Sequence, residues 1–198
     1  MLLQQRQTKR ARSRMSLEEQ IKEHLINQLR FIGEDPEREG LKGTPARVLK
    51  SWKELYSGYG KDPKDILTVF EKGTYNQIVL LQDVELYSTC EHHMITFYGK
   101  AHVAYLPGEK VIGISKLARL VDIYARRLQI QERIGEQVTE ALMTYLKPKG
   151  AACFIEARHF CMCARGCNKQ NSIMKTFSLK GAFLEDPSFE NKLLMMIK

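Results

Sequence analysis

The sequence predicts an α+β fold: an antiparallel sheet with helices on one face, preceded by an N-terminal helical region. Three observations predict it. Two strand-like runs, near residues 77–87 and 96–106, precede a pair of amphipathic helical patterns. That pair fills residues 115–127 and 131–146 without a strand-length run between the two. Two more strand-like runs, near 151–163 and 172–183, follow it. The resulting order, ββααββ, suits strands paired as hairpins with their helices packed on one side.

Each element has a local cause. Ser16-Leu17-Glu18-Glu19 has the form of a capping box, and Ile21, Leu25, Ile26, Leu29 and Ile32 follow at helical spacing. Asp35-Pro36 ends that helix. Thr44 reads as the N-cap of a second helix with Pro45 at its first position. Val48, Leu49, Trp52 and Leu55 form its apolar stripe, and Ser57-Gly58-Tyr59-Gly60 closes it. Pro107-Gly108 turns the chain after the second strand, and Pro148 and Gly150 stop the helix pair. A short C-terminal helix is expected from Asp186-Pro187. The expected organisation is a basic tail (1–14), a helical region (15–60) and a catalytic domain (61–198).

Composition narrows the function classes. The chain has 198 residues, 43 % hydrophobic and 27 % charged, enough for a core without disulfide staples. The net charge is +8, but Arg6, Lys9, Arg10, Arg12 and Arg14 all precede Met15 with no acid among them. The basic character therefore belongs largely to a tail and does not argue for a nucleic-acid surface. Met15, followed at once by a helix start, is a second candidate for the first residue. The opening residues lack the apolar stretch of a secretory leader, and no run approaches a membrane span, so the expected location is the cytoplasm. Five cysteines, an odd number, do not suggest a disulfide framework in that compartment.

The cysteines instead keep company with histidines. Cys90, His92 and His93 fall within four positions where a strand ends. Read as a strand, His159–Arg165 alternates so that His159, Cys161, Cys163 and Arg165 share one face. Thiolate and imidazole are zinc ligands, three in a catalytic site and four in a structural one. Cys90 and His93 with one of Cys161 or Cys163 make a catalytic-type site. A Cys3His site using both, or buried free thiols beside a surface histidine pair, fit the spacing as well.

No P-loop and no dinucleotide-binding glycine pattern occurs, so a phosphate must be held by side chains and helix ends. Ser115 reads as an N-cap, with Lys116 and Arg119 in the first turn after it. Cations there oppose the helix dipole unless an anion is bound. Arg47 and Lys50 repeat the pattern, and Arg165 adds a fifth cation, a set that suits a triphosphate. Gln131 and Glu132 open a helix, where an acid is favourable anyway; the carboxylate could also accept the N–H edge of a guanine-like base.

Taken together, these stretches resemble GTP cyclohydrolase I, the zinc-dependent family. The resemblance rests on G33-E-D-P-E-R-E-G40 with T44-P-A-R-V-L-K50, S88-T-C-E-H-H93, G99-K-A-H-V-A-Y-L-P107, V111-I-G-I-S-K-L-A-R119, R127-L-Q-I-Q-E-R133 and H159-F-C-M-C-A-R-G166. It implies a tunnelling fold built from ββααββ units. It implies a homodecamer of two pentamers with sites between subunits, and conversion of GTP to 7,8-dihydroneopterin triphosphate and formate. It assigns zinc to Cys90, His93 and Cys161, leaving Cys163 a bystander. His92 and His159 become catalytic, with Ser115 near the ribose. Gln131 and Glu132 hold the base, while Arg47, Lys50, Lys116, Arg119 and Arg165 hold the triphosphate. Two positions depart from the family pattern: Met174 stands where Thr is common, and Gly135 where Thr or Ser is common. Two rivals remain: a nitrile reductase of the same fold, with a nucleophilic cysteine and no zinc, and a zinc-stabilised nucleic-acid module with four protein ligands.

Overall fold

The computed structural model describes residues 15–67, 69–70 and 75–197; the basic tail expected at 1–14 lies outside them. Contacts divide the chain into two compact units between Glu54 and Leu55.

In the first unit, helix α1 (Leu17–Phe31) begins at the expected capping box. The Glu19 amide donates to Ser16 Oγ at 3.3 Å, and the Ser16 amide donates to Glu19 Oε2 at 2.8 Å. No residue of α1 is buried, so its apolar stripe is only partly covered. Helix α2 (Thr44–Leu55) includes Thr44 as its first residue, one position earlier than the N-cap reading placed it. Pro45 and Leu49 are its buried residues.

In the second unit, a short helix α3 (Pro63–Ile66) and strand β1 (Val69–Phe70) lead into the sheet. Strands β2 (Val79–Cys90) and β3 (Thr96–Leu106) pair antiparallel. Strand β4 (Val111–Ile112) pairs with β1 in a separate small sheet. Helix α4 (Ile114–Ala125), strand β5 (Leu128–Gln129) and helix α5 (Gln131–Ala141) follow, and a π-helical turn (Leu142–Leu146) ends the helix pair. Strand β6 (Gly150–His159), a helical turn α6 (Phe160–Cys163) and strand β7 (Met174–Gly181) complete the sheet. Helices α7 (Ala182–Glu185) and α8 (Pro187–Met196) end the chain, Asp186 capping α8 by accepting from the Ser188 amide at 2.8 Å. The order of the large sheet is β5-β2-β3-β6-β7, antiparallel except for the parallel β2–β5 pair. The ββααββ core is therefore present as expected.

Alternation along the strands explains the layers. Ala101, Val103 and Tyr105 of β3 and Ala151, Cys153 and Ile155 of β6 face one side. There they pack with Leu117, Leu120 and Val121 of α4 and Ile134, Val138 and Ala141 of α5. Burying each large aliphatic side chain contributes about 1.5–3 kcal/mol. The opposite parity puts Ala104, Leu106 and Ala152 against Phe183 and Leu193. The C-terminal helices thus cover one end of the second face, an addition to the helix pair on the first. Gly99 permits the close β3–β6 approach, since a Cβ there would sit 1.9 Å from the Glu156 carbonyl oxygen.

One expectation fails. The strand predicted to run through Cys163 ends at His159, and Phe160–Cys163 wraps into a helical turn. Strand parity therefore does not apply to Cys161, Cys163 and Arg165.

Candidate active site

The end of β2 and the turn after β6 bring three donors together. The ligand atoms of Cys90, His93 and Cys161 all lie within 4.8 Å of one another. Cys90 Sγ is 3.7 Å from His93 Nδ1. Tetrahedral zinc, with bonds of about 2.0–2.3 Å, separates its donors by roughly 3.5–3.8 Å. The loop that carries His93 closes tightly: the Met94 amide donates to the Cys90 carbonyl at 2.8 Å, and Met94 has φ +53°. Burial first, and then the neighbouring Cys90 sulfur, pushes the Cys161 thiol above its ordinary range. Two sulfurs and an imidazole nitrogen this close make a donor set that fits a borderline-soft divalent metal such as zinc.

The helical turn also separates the two candidate cysteines. Residues two apart on a helix point about 200° apart. Cys161 reaches Cys90, whereas Cys163 Sγ turns to the Lys169 carbonyl at 3.3 Å. Among the described residues, the metal-capable group is a triad, not a Cys3His set. Cys153 lies in the core with its thiol pushed up to about 12 by burial, and it takes no part.

His159, the last residue of β6, stacks on Phe97 of β3 with ring centroids 4.4 Å apart and planes at 8°. Its Nε2 lies 2.9 Å from Gln131 Oε1. The Gln131 amide nitrogen faces the Ile155 and Met174 carbonyls at 3.0 and 3.1 Å and Thr176 Oγ1 at 3.1 Å. Those acceptors fix the amide orientation, so Gln131 Oε1 accepts and His159 Nε2 donates. The proton on Nε2 leaves Nδ1 as the basic nitrogen of the neutral ring. Burial lowers the His159 pKa, opposed by the Glu132 charge.

The Gln131 side chain is fully buried and its polar atoms are engaged within the chain, unlike those of its neighbour Glu132. Helical geometry explains the difference, because successive residues turn by about 100°. Gln131 points inward, while Glu132 is exposed on the rim of a cleft of about 530 Å³ shared with Arg133, Glu136, Thr176 and Ser178.

Ser115 is not the N-cap that the sequence suggests. Helix α4 starts at Ile114 with Gly113 as N-cap, and no side chain caps it. Ser115 is exposed in the first turn beside half-buried Lys116, and exposed Arg119 follows one turn on. Arg165 Nη1 donates to the Cys161 carbonyl at 3.4 Å, which brings its guanidinium to the turn that carries Cys161. His92 is exposed, its Nδ1 4.0 Å from Cys90 Sγ. Arg47 and Lys50 are exposed residues of the first unit, where Arg47 donates to the Gly40 carbonyl and Thr44 Oγ1, both at 2.9 Å.

Sequence reasoning missed two partners. Phe97 supports His159 by stacking, and Arg133 grips Glu91, the residue between Cys90 and His92. Each pairs residues more than forty positions apart, without a local signal.

Fold and site define an α+β protein with a thiol–imidazole donor triad and an oriented histidine two residues from one of its thiols. A family model described as GTP cyclohydrolase I matches residues 21–198. A GTP cyclohydrolase 1 from Wolinella succinogenes is 55 % identical over 157 residues, covering 79 % of this chain and 84 % of that protein. One from Campylobacter lari is 47 % identical over 183 residues, covering 91 % and 96 %. One from a Synechococcus species is 51 % identical over 172 residues, covering 86 % and 75 %. Among solved structures, the apo archaeosine synthase QueF-Like matches with TM-score 0.46 at 16 % identity, covering 55 % of this chain and 97 % of that one. That likeness is too distant to bear on function. The chain belongs to the GTP cyclohydrolase I family. It is an enzyme of that family, whose reaction converts GTP to dihydroneopterin triphosphate in pterin and folate biosynthesis.

Proposed function

We propose that the chain performs this reaction with a zinc ion held by Cys90, His93 and Cys161, releasing formate. The observation that carries the reading is the mutual approach of those three donors within 4.8 Å, with His159 two residues from Cys161. Three protein ligands are the catalytic count for zinc. When bound, the ion supplies Lewis-acid activation of water.

The remaining chemistry falls to the chain. His159 holds a proton for a purine ring nitrogen through Nδ1, the atom left basic by the Gln131 hydrogen bond. His92, exposed beside the donor triad, serves the second hydrolytic step. Ser115 lies near the ribose as it rearranges. Glu132 accepts the N–H edge of guanine. Lys116, Arg119 and Arg165 hold the triphosphate, and that binding positions the purine for attack.

The same reading has the chain act as a cytoplasmic homodecamer of two pentamers, with residues 61–198 as its catalytic domain. No helix among the described residues is long and apolar enough to cross a membrane. Incubation of zinc-loaded protein with GTP tests the function. Formate and, after oxidation, a fluorescent pterin are expected. A protein that binds zinc yet releases no formate from GTP overturns the reading.

A further inference from the structure

We propose that Arg133 and Glu91 form a positioning pair for the metal-ligand loop. The pair holds that loop to the start of α5, the helix whose first residue orients His159. This inference rests on the reading that Cys90, His93 and Cys161 hold the metal.

Glu91 sits between two ligands in sequence, and it is fixed twice. Arg133 Nη1 donates to Glu91 Oε2 at 2.5 Å and Arg133 Nη2 to Glu91 Oε1 at 3.1 Å, a two-pronged grip. The Glu91 amide donates to the Gln129 carbonyl at 3.0 Å. Gln129 is itself buried, its amide nitrogen donating to the Tyr124 carbonyl at 3.0 Å and Gln137 Oε1 at 2.7 Å. The parallel register of Thr89 and Cys90 against Leu128 and Gln129 continues the same seam. The short stretch 128–133 therefore runs along the loop and reaches three groups. Gln129 fixes the backbone of Glu91, Gln131 fixes His159, and Arg133 fixes the carboxylate between the ligands.

Chelation explains why the loop needs this. His93 is exposed on a turn of four residues and has to meet Cys90 and Cys161 in one geometry. A loop that wanders between arrangements binds metal more weakly, because the ordering must be done at the moment of binding. An exposed ion pair adds little to folding stability. Its effect here falls on the loop's arrangement, and the two-pronged geometry requires arginine, since a lysine offers a single charge centre.

The test uses the full chain and the variants E91Q, R133M and R133K. Zinc affinity is measured by competition with a chromophoric chelator, and ligand geometry by the visible absorption of the cobalt-substituted protein. In both E91Q and R133M, zinc affinity is expected to fall about 10-fold, the scale seen when groups that orient metal ligands are removed. The cobalt bands should shift, kcat should fall and KM for GTP should change less. R133K should recover part of the affinity, because a cation still meets Glu91. E91Q, nearly isosteric, carries the test should R133M fail to fold. Wild-type zinc affinity with unchanged cobalt bands in E91Q overturns the proposal. The metal measurements use no GTP. A loss of affinity in variants of a protein that releases no formate therefore supports the pair while removing the proposed reaction.

Discussion

Gln131 Oε1 lies 2.9 Å from His159 Nε2, and the Gln131 amide nitrogen is held by acceptors on β6 and β7. A buried amide thus sets which nitrogen of the histidine carries the proton. Replacing Gln131 with Met should keep zinc content and lower kcat. It should also cost about 1–3 kcal/mol of stability, because buried polar groups lose their partners. Metal analysis, formate release and chemical denaturation of one preparation check all three.

Cys161→Ala should lose zinc, whereas Cys163→Ala should keep it. The helical turn aims only the first sulfur at Cys90, while the second contacts the Lys169 carbonyl. Equal zinc loss from both variants would show that Cys163 is a ligand.

His159→Ala should retain zinc and bind GTP, with formate release reduced about 10²–10⁴-fold, the usual contribution of a positioned acid–base group. Formate release at the wild-type rate would remove His159 from the mechanism.

Gly135→Ala should stabilise the protein by up to about 1 kcal/mol, the cost of glycine inside a helix. The added Cβ meets nothing closer than Ser178 Cβ at 3.4 Å, an ordinary contact. A lower melting temperature for the variant would contradict this.

Local signals were the legible ones. Ser16 and Glu19 specify their capping box within four residues, and the 3.6-residue stripe of Leu117, Leu120 and Val121 places α4 in the core. The donor triad was legible only in part: Cys90 and His93 stood out by chemistry, but spacing did not choose between Cys161 and Cys163, which the helical turn separates. Phe160–Cys163 was not readable as that turn, since a polar–apolar alternation reads alike in a strand and in a single helical turn. The burial of Gln131 against His159 was not legible, because sequence adjacency to Glu132 carries no information about which way each side chain turns. Glu91 and Arg133 were missed because an ion pair across 42 positions depends on the register of β5 on β2.

Cys153, sealed between sheet and helices with its thiol pushed up to about 12, gives the molecule an internal reporter. An alkylating reagent reaches that sulfur only when the core opens. Its modification rate therefore follows global unfolding, while exposed Cys167 reacts from the native state. Mass spectrometry of timed alkylation can then separate variants that damage the catalytic chemistry from those that merely loosen the protein.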